Sequence, residues 1–420
     1  MENQVITFGC RLNSYESEVI KNNLTNSGLD KFVVFNTCSV TKEAERQAKQ
    51  SIRKFIKANP QHKVVVTGCA AQIDPKSYSS IGGVYKVIGN EEKLKQETYQ
   101  NLKEDFGTEK VLVNDIFSIK ETASHLITSF EDKSRAFMQV QNGCNHRCTF
   151  CIIPYGRGNS RSVPIGEIVK QAKVLTDQGY KEIVLTGVDI TDYGSDLPGR
   201  PRMGEMIKRL LKLVPDIKRI RLSSVDVAEI DDDIFWLLEN EPRFMPHFHL
   251  SLQAGDDIIL KRMKRRHLRA DILNFVEKVR KIRSDIVFGA DIIAGFPTED
   301  DKMFENTLKI VSEVEIIYGH VFPYSKREGT PAAKIPENKQ VPKQIRKERA
   351  KQLRDACDLE LQKFLKTRIG KTENVIVEKG GFGRTEHFVL VKLANDNYVQ
   401  GEIVTVKAGS VEENYLREVI

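Results

Sequence analysis

Read from its amino terminus, the chain alternates short apolar runs with longer polar stretches. Val5–Gly9, Phe32–Asn36, Val64–Gly68 and Tyr85–Gly89 read as strands; Ser14 to about Ser27 and Thr41 to Ala58 read as helices. Buried strands alternating with helices predict an open parallel sheet with helices on its faces, an α/β fold. From about Asp115 to Ser134 the charges are scattered and no period is strong, as in a linker. The alternation then resumes. Phe137–Gln141, Ile183–Gly187, Arg219–Ser223, His247–Leu252, Ile286–Ile293 and Ile317–Phe322 read as strands separated by helix-like segments, the first of which runs from Ile165 and ends at Gly179. Six β/α units fall short of the eight of a closed barrel, so a partial barrel with a lateral opening is expected. After Pro342 a charged helix runs to about Phe364. Short strands with glycines between them follow, Asn374–Val377, His387–Val391 and Glu402–Val406, and predict a small C-terminal β-barrel. The expected units are 1–114, a linker 115–134, a core 135–360 and a module 361–420.

Composition narrows the class. With 420 residues, 40% of them hydrophobic and 29% charged, the chain reads as a soluble protein of two or three domains. No apolar run approaches the roughly 18 residues of a membrane span. The start lacks a basic region followed by a long apolar segment, so no signal peptide and no membrane partner are expected. Seven cysteines in such a chain point to reduced thiols, metal ligation and a cytoplasmic location. The net charge of +7 is mild, but Lys261–Arg269 and Lys343–Arg354 each hold six basic residues, compatible with phosphate contacts or with solvated helix faces.

The cysteines carry the chemistry. Cys144, Cys148 and Cys151 lie within one short loop, beside Gly143. Thiolates this close suit zinc, copper(I) or an iron–sulfur cluster. Structural zinc normally has a fourth ligand, often from a second Cys-x-x-Cys pair, and the chain has none; His146 sits inside the tight loop, in poor geometry for the task. On a four-iron cluster, three thiolates leave one iron open to an exogenous ligand. Cys10, Cys38 and Cys69 each stand at or just after the end of a strand, where ligands gather in open α/β sheets, so they converge on a second possible site. Cys357 has no matching partner and reads as a packing residue.

Cys144-x-x-x-Cys148-x-Phe150-Cys151 resembles the signature of radical S-adenosylmethionine (radical SAM) enzymes. Gly9-Cys-Arg-Leu-Asn13, Asn36-Thr-Cys-Ser-Val40 and Thr67-Gly-Cys-Ala-Ala-Gln72 resemble the motifs of the methylthiotransferase N-terminal domain, and the final sixty residues resemble a TRAM module, which binds RNA. The resemblance covers essentially the whole chain. It implies two 4Fe–4S clusters, S-adenosylmethionine, and transfer of a methylthio group to an activated C–H bond. The second cluster would supply or carry the sulfur. It also implies that Phe150, Thr186, Gly187, Asp189, Ser251, Gln253 and Asp291 lie around S-adenosylmethionine. Where Asn159 stands, the family often has a basic residue. The loop and first motif look most like the branch acting on N6-threonylcarbamoyladenosine at position 37 of the tRNA anticodon loop. Electron-donor and sulfur-donor partners follow from that chemistry. Branches acting on N6-isopentenyladenosine-37 or on a ribosomal-protein aspartate are the alternatives, and a non-catalytic iron–sulfur RNA sensor lies outside them. A threonylcarbamoyl carboxylate needs a cationic or hydrogen-bonding partner, and Arg157, Arg161 and Lys326 are the candidates near strand ends.

Overall fold

The computed structural model describes residues 3–103, 109–120, 127, 134–395 and 397–419. The N-terminal sheet has five parallel strands in chain order: β1 (Gln4–Thr7), β2 (Phe32–Thr37), β3 (Lys63–Gly68), β4 (Val84–Ile88) and β5 (Val111–Leu112). α1 (Arg11–Asn26) and α2 (Lys42–Ala58) cover opposite faces. Successive β2 side chains go to opposite cores, as the two-residue period of a strand requires. Val33 and Phe35 pack with Ile52 of α2, whereas Phe32 and Val34 pack with Ile20 and Leu24 of α1. α2 starts where Thr41 caps it, its hydroxyl accepting from Ala44 N at 3.1 Å, with Glu43 and Glu45 in the first turn. β5 escaped the sequence reading because two residues carry no period.

Six longer strands form the expected partial barrel: β6 (Ala136–Gln139), then Glu182–Thr186, Arg219–Leu222, His247–Gln253, Val287–Ala294 and Ile316–Pro323. The first three make one parallel sheet. The last three, with the short Ser224–Val225, make another, and an isolated bridge from Ile220 to Phe244 joins the halves. Phe248, Leu250, Leu252, Ala290, Ile292 and Ala294 point outward into the largest core. Their neighbours His249 and Asp291 point inward and meet at 3.2 Å. Leu12, Tyr15 and Val19 of α1 share that core with Met138 and Val140, so the N-terminal unit closes part of the barrel's open side.

The C-terminal module is a closed barrel of Thr372–Glu378, Phe382–Thr385, Leu390–Lys392, Ile403–Glu412 and Tyr415–Glu418. The strand expected from His387 begins only at Leu390, because Phe388 turns the chain at φ +67° and donates its N–H to Thr385 O. This module docks on the amino-terminal ends of the larger barrel's strands. Arg219 donates to Asn374 O at 2.9 Å, Arg221 to Glu386 O at 3.0 Å, and the Tyr318 hydroxyl to Phe388 O at 2.9 Å. Cys357 packs inside the helix Lys343–Arg368, over Gly319, where any Cβ would come within 2.5 Å of its sulfur. Of the expected linker, 121–126 and 128–133 lie outside the described residues; Ile116 and Ile127 are buried, and the Gln171 side-chain amide accepts from Ile127 N and donates to Ile127 O. Among the described residues no helix is long and apolar enough to cross a membrane.

Candidate active site

The Cys144–Cys151 loop leaves the carboxyl end of β6 and returns as a two-residue ladder, Gln141–Asn142 against Arg161–Ser162. Gln141 holds it shut, donating to Gly143 O at 2.8 Å and Ser160 Oγ at 2.9 Å. Thr149 is pinned from the far side, its N–H to Met263 O and its hydroxyl to Arg262 O. Burial pushes the Cys151 thiol up to about 12, and burial together with the charge of Asp189 pushes Cys144 higher still. Arg265 reaches in with Nη1 3.5 Å from Cys148 Sγ, while its Nη2 donates to Asp226 at 2.6 Å. His146 Nε2 lies 3.0 Å from Asp189 and 3.3 Å from Glu229, and hydrogen bonds to these carboxylates raise it to about 10. With His146 turned to these two carboxylates, the loop offers three thiols, a donor set that fits a four-iron cluster with one open iron better than four-coordinate zinc.

Cys10 caps α1, Cys38 follows β2, and Cys69 opens the short helix α3 (Cys69–Ile73) directly after β3. The motif residues beside them tie the three loops together. Asn13 donates to Phe8 O and Thr37 O, Asn36 donates to Asn13 O, and Ala71 N donates to Thr37 Oγ1. Two cysteines follow glycines at positive φ. A Cβ on Gly9 would stand 2.8 Å from Cys38 Sγ, and one on Gly68 would stand 2.2 Å from Thr37 O. Below the trio lies a buried charge network. Glu16 bonds Arg157 Nη1 at 2.7 Å and Lys93 Nζ at 2.7 Å, and each of the three side chains is at most 2% exposed. Burial alone would raise Glu16, but the two cations outweigh it and hold its carboxyl at about 2. One carboxylate against two cations leaves a positive charge facing Cys69 and Cys10. That surplus suits an anionic, thiolate-ligated group.

Arg157 belongs to the radical SAM-like loop, so this network joins the two sites. Gly156 packs against Cys69, a Cβ there standing 3.2 Å from the cysteine's own, and Asn90 donates to Gly156 O. Both terminal nitrogens of Arg157 are engaged by Glu16, Asn13 and Asn142, which leaves neither for a substrate carboxylate. Arg161 is buried with Nη1 donating to Asn159 O, and Lys326 pairs with Glu337 at 3.1 Å. The sequence reading put these three at the mouth; the fold turns Arg157 and Arg161 inward and gives Lys326 an intramolecular carboxylate.

The other expected residues gather at the carboxyl ends of the strands. Thr186 is buried, and Gly187 lies against Gln141, which accepts from the Val188 and Asp189 N–H groups. Asp189 stands 3.4 Å from Cys144 Sγ. Phe150 is half-buried against the cluster of Ala254, Leu260 and Phe296. Ser251 offers its carbonyl to Arg265, and Gln253, at φ +67°, ends the fourth strand where the register slips. Asp291 sits inside the barrel between His249 and His320, with Ser224 donating at 3.3 Å. The basic run Lys261–Arg269 is largely spent within the protein. Arg262 bonds Thr298, Arg265 bonds Asp226, Arg266 pairs with Glu229, and Arg269 with Glu313. Sequence reasoning missed Glu16, Asn13, Lys93 and Arg11. Asn13 and Arg11 stood inside a motif already singled out; Lys93, within Glu91-Glu-Lys-Leu-Lys95, reads as a solvated turn.

The partial barrel and its three-cysteine loop define a radical SAM core, and the model of the Radical SAM superfamily matches residues 138–311. Residues 2–89 match the uncharacterized protein family UPF0004. The chain is 57% identical over its full length to threonylcarbamoyladenosine tRNA methylthiotransferase MtaB of Rickettsia prowazekii, covering 98% of that protein. It is 33% identical to the MtaB of Bacillus subtilis, over 96% of this chain and 92% of that one. At 30% stands a tRNA-2-methylthio-N(6)-dimethylallyladenosine synthase of Acetivibrio thermocellus, over 97% of this chain and 88% of that one. Among solved structures, the radical S-adenosylmethionine methyltransferase TsrM of Kitasatospora setae shares the fold at TM-score 0.60 and 13% identity, over 79% of this chain and 77% of that one. The chain belongs to the radical SAM tRNA methylthiotransferase family of MtaB. Membership brings a 4Fe–4S cluster and S-adenosylmethionine as cofactors.

Proposed function

We propose that this chain converts N6-threonylcarbamoyladenosine at position 37 of tRNA to its 2-methylthio derivative, using two 4Fe–4S clusters. Cys144, Cys148 and Cys151 hold one, and Cys10, Cys38 and Cys69 hold the other. The observation that carries this reading is the shared loop, which bears three thiols near one end and presses Gly156 and Arg157 against the second trio at the other. When bound, the two clusters supply the electron that cleaves S-adenosylmethionine and the sulfur that is transferred. The chain's own residues position and shield. Gln141 fixes the Val188–Asp189 backbone, and Asp189 holds His146 beside Cys144. Phe150, Thr186, Gly187, Asp189, Ser251, Gln253 and Asp291 surround the S-adenosylmethionine site. A base must leave its stack to reach the strand ends, and an anticodon-loop purine does so at lower cost than a helical one. In this reading residues 1–114 serve the sulfur site, 135–360 the radical chemistry and 361–420 RNA binding, with 115–134 as a connector. The work takes place in the cytoplasm, with separate electron and sulfur donors.

The test separates the sites. Replacing Cys144, Cys148 and Cys151 with alanine abolishes S-adenosylmethionine cleavage and leaves about four irons per chain, those of one cysteine-ligated cluster. Replacing Cys10, Cys38 and Cys69 keeps cleavage and stops methylthiolation. Iron content unchanged in the second variant would sink the N-terminal cluster.

A further inference from the structure

Around Phe388 the arginines outnumber the carboxylates that face them. Phe388 reaches in from the C-terminal module, and the guanidinium carbons of Arg384, Arg135, Arg221 and Arg11 lie 4.4, 4.9, 5.1 and 5.8 Å from its ring centre. Three of these arginines have partners. Arg135 bonds Glu378 at 2.6 Å, Arg221 bonds Glu182 at 3.0 Å, and Arg384 bonds Phe388 O at 2.9 Å and faces Glu378 at 3.6 Å. Arg11 differs. It is half-buried, and among the described residues its guanidinium has neither a hydrogen bond nor an ion pair. The carboxylate whose charge reaches it, Asp291, is already held by His249, His320 and Ser224. A partly desolvated cation among three others is unfavourable until an anion joins it.

Arg11 directly follows Cys10 in the chain, and its guanidinium reaches the barrel near Phe388 and within the field of Asp291. A guanidinium offers the planar fork of donors that a carboxylate accepts. We propose that Arg11 is the specificity-determining residue that receives the carboxylate of the substrate's N6 substituent. This rests on the function proposed above and supplies the cation that Arg157, Arg161 and Lys326 do not. An isopentenyl group would leave the guanidinium desolvated and unpaired, which is how the site would reject it.

The experiment uses the full-length reconstituted enzyme, wild type, Arg11→Gln and Arg11→Lys. Its substrates are tRNA bearing threonylcarbamoyladenosine, the same tRNA with that carboxylate capped as a methyl ester, and tRNA bearing isopentenyladenosine. Wild type should prefer the free acid over the ester by about 100-fold in kcat/KM, the scale of losing one partner of a buried charged pair. Arg11→Gln should bring acid and ester together, chiefly by raising KM for the acid, and Arg11→Lys should recover part of the difference. A wild type indifferent to the ester, a comparison that needs no variant, overturns the inference. So does Arg11→Gln with an unchanged KM. Loss of tRNA-free 5′-deoxyadenosine formation in Arg11→Gln would assign the guanidinium to the S-adenosylmethionine carboxylate instead and overturn it too. Wild-type product on the isopentenyl tRNA alone would overturn the functional reading itself, a result none of the other arms gives.

Discussion

Glu16 shows how much one side chain can hold. It is fully buried and satisfies Lys93 and Arg157 at once, so it joins α1, the segment after β4 and the cysteine loop. Glu16→Gln leaves two cations facing each other without water. Breaking a buried pair from one side costs about 3–5 kcal/mol, so the denaturation midpoint should fall sharply. The pH dependence has a definite sign. The folded carboxyl sits at about 2, below its ordinary 4.5, so its contribution is complete above pH 4.5 and drains away as the pH falls toward 2. The variant should flatten that acid limb of the stability curve. An acid limb identical in both proteins would show that other carboxylates set it.

Among the elements, the C-terminal barrel shows how one turn adds to docking. Phe388 departs from strand geometry at φ +67° and thereby reaches the arginines at the foot of the larger barrel. Phe388→Ala removes that stack while keeping the backbone bonds from Arg221 and Tyr318. Partly desolvated cation–π contacts contribute about 1–2 kcal/mol, so the module should be cut free faster in limited proteolysis. An unchanged cleavage rate would show that the polar bonds and the apolar contacts with Val287, Ile317, Leu361 and Leu365 hold the module without this stack. The charged helix Lys343–Arg368 is likewise no simple solvated rod: Arg349 is buried against Glu299, and Arg346 donates to Tyr324 O.

Across the whole molecule, the two thiol sites depend on one close approach. Gly156 against Cys69 leaves no room for a branched side chain. Gly156→Val should push the loop off the N-terminal unit, lowering iron to about four per chain and methylthiolation with it, while 5′-deoxyadenosine still forms. Full iron and full product would show that the sites do not need this contact. The strands that carry the six cysteines were legible in the chain, because β1, β2, β3 and β6 announce themselves by local apolar runs. The cysteines' placement after strand ends is a property of spacing alone. Arg157, Arg265 and Lys93 were not legible. In one dimension a charged residue reads as solvated or ready for phosphate, and nothing near it names the partner that buries it. Glu16 lies 141 residues from Arg157 and 77 from Lys93. Local periodicity set the elements and the thiol positions, since both depend on neighbours a few residues away. Which charges were neutralised, and which one was left facing the barrel, was decided only when distant segments packed and excluded water between them.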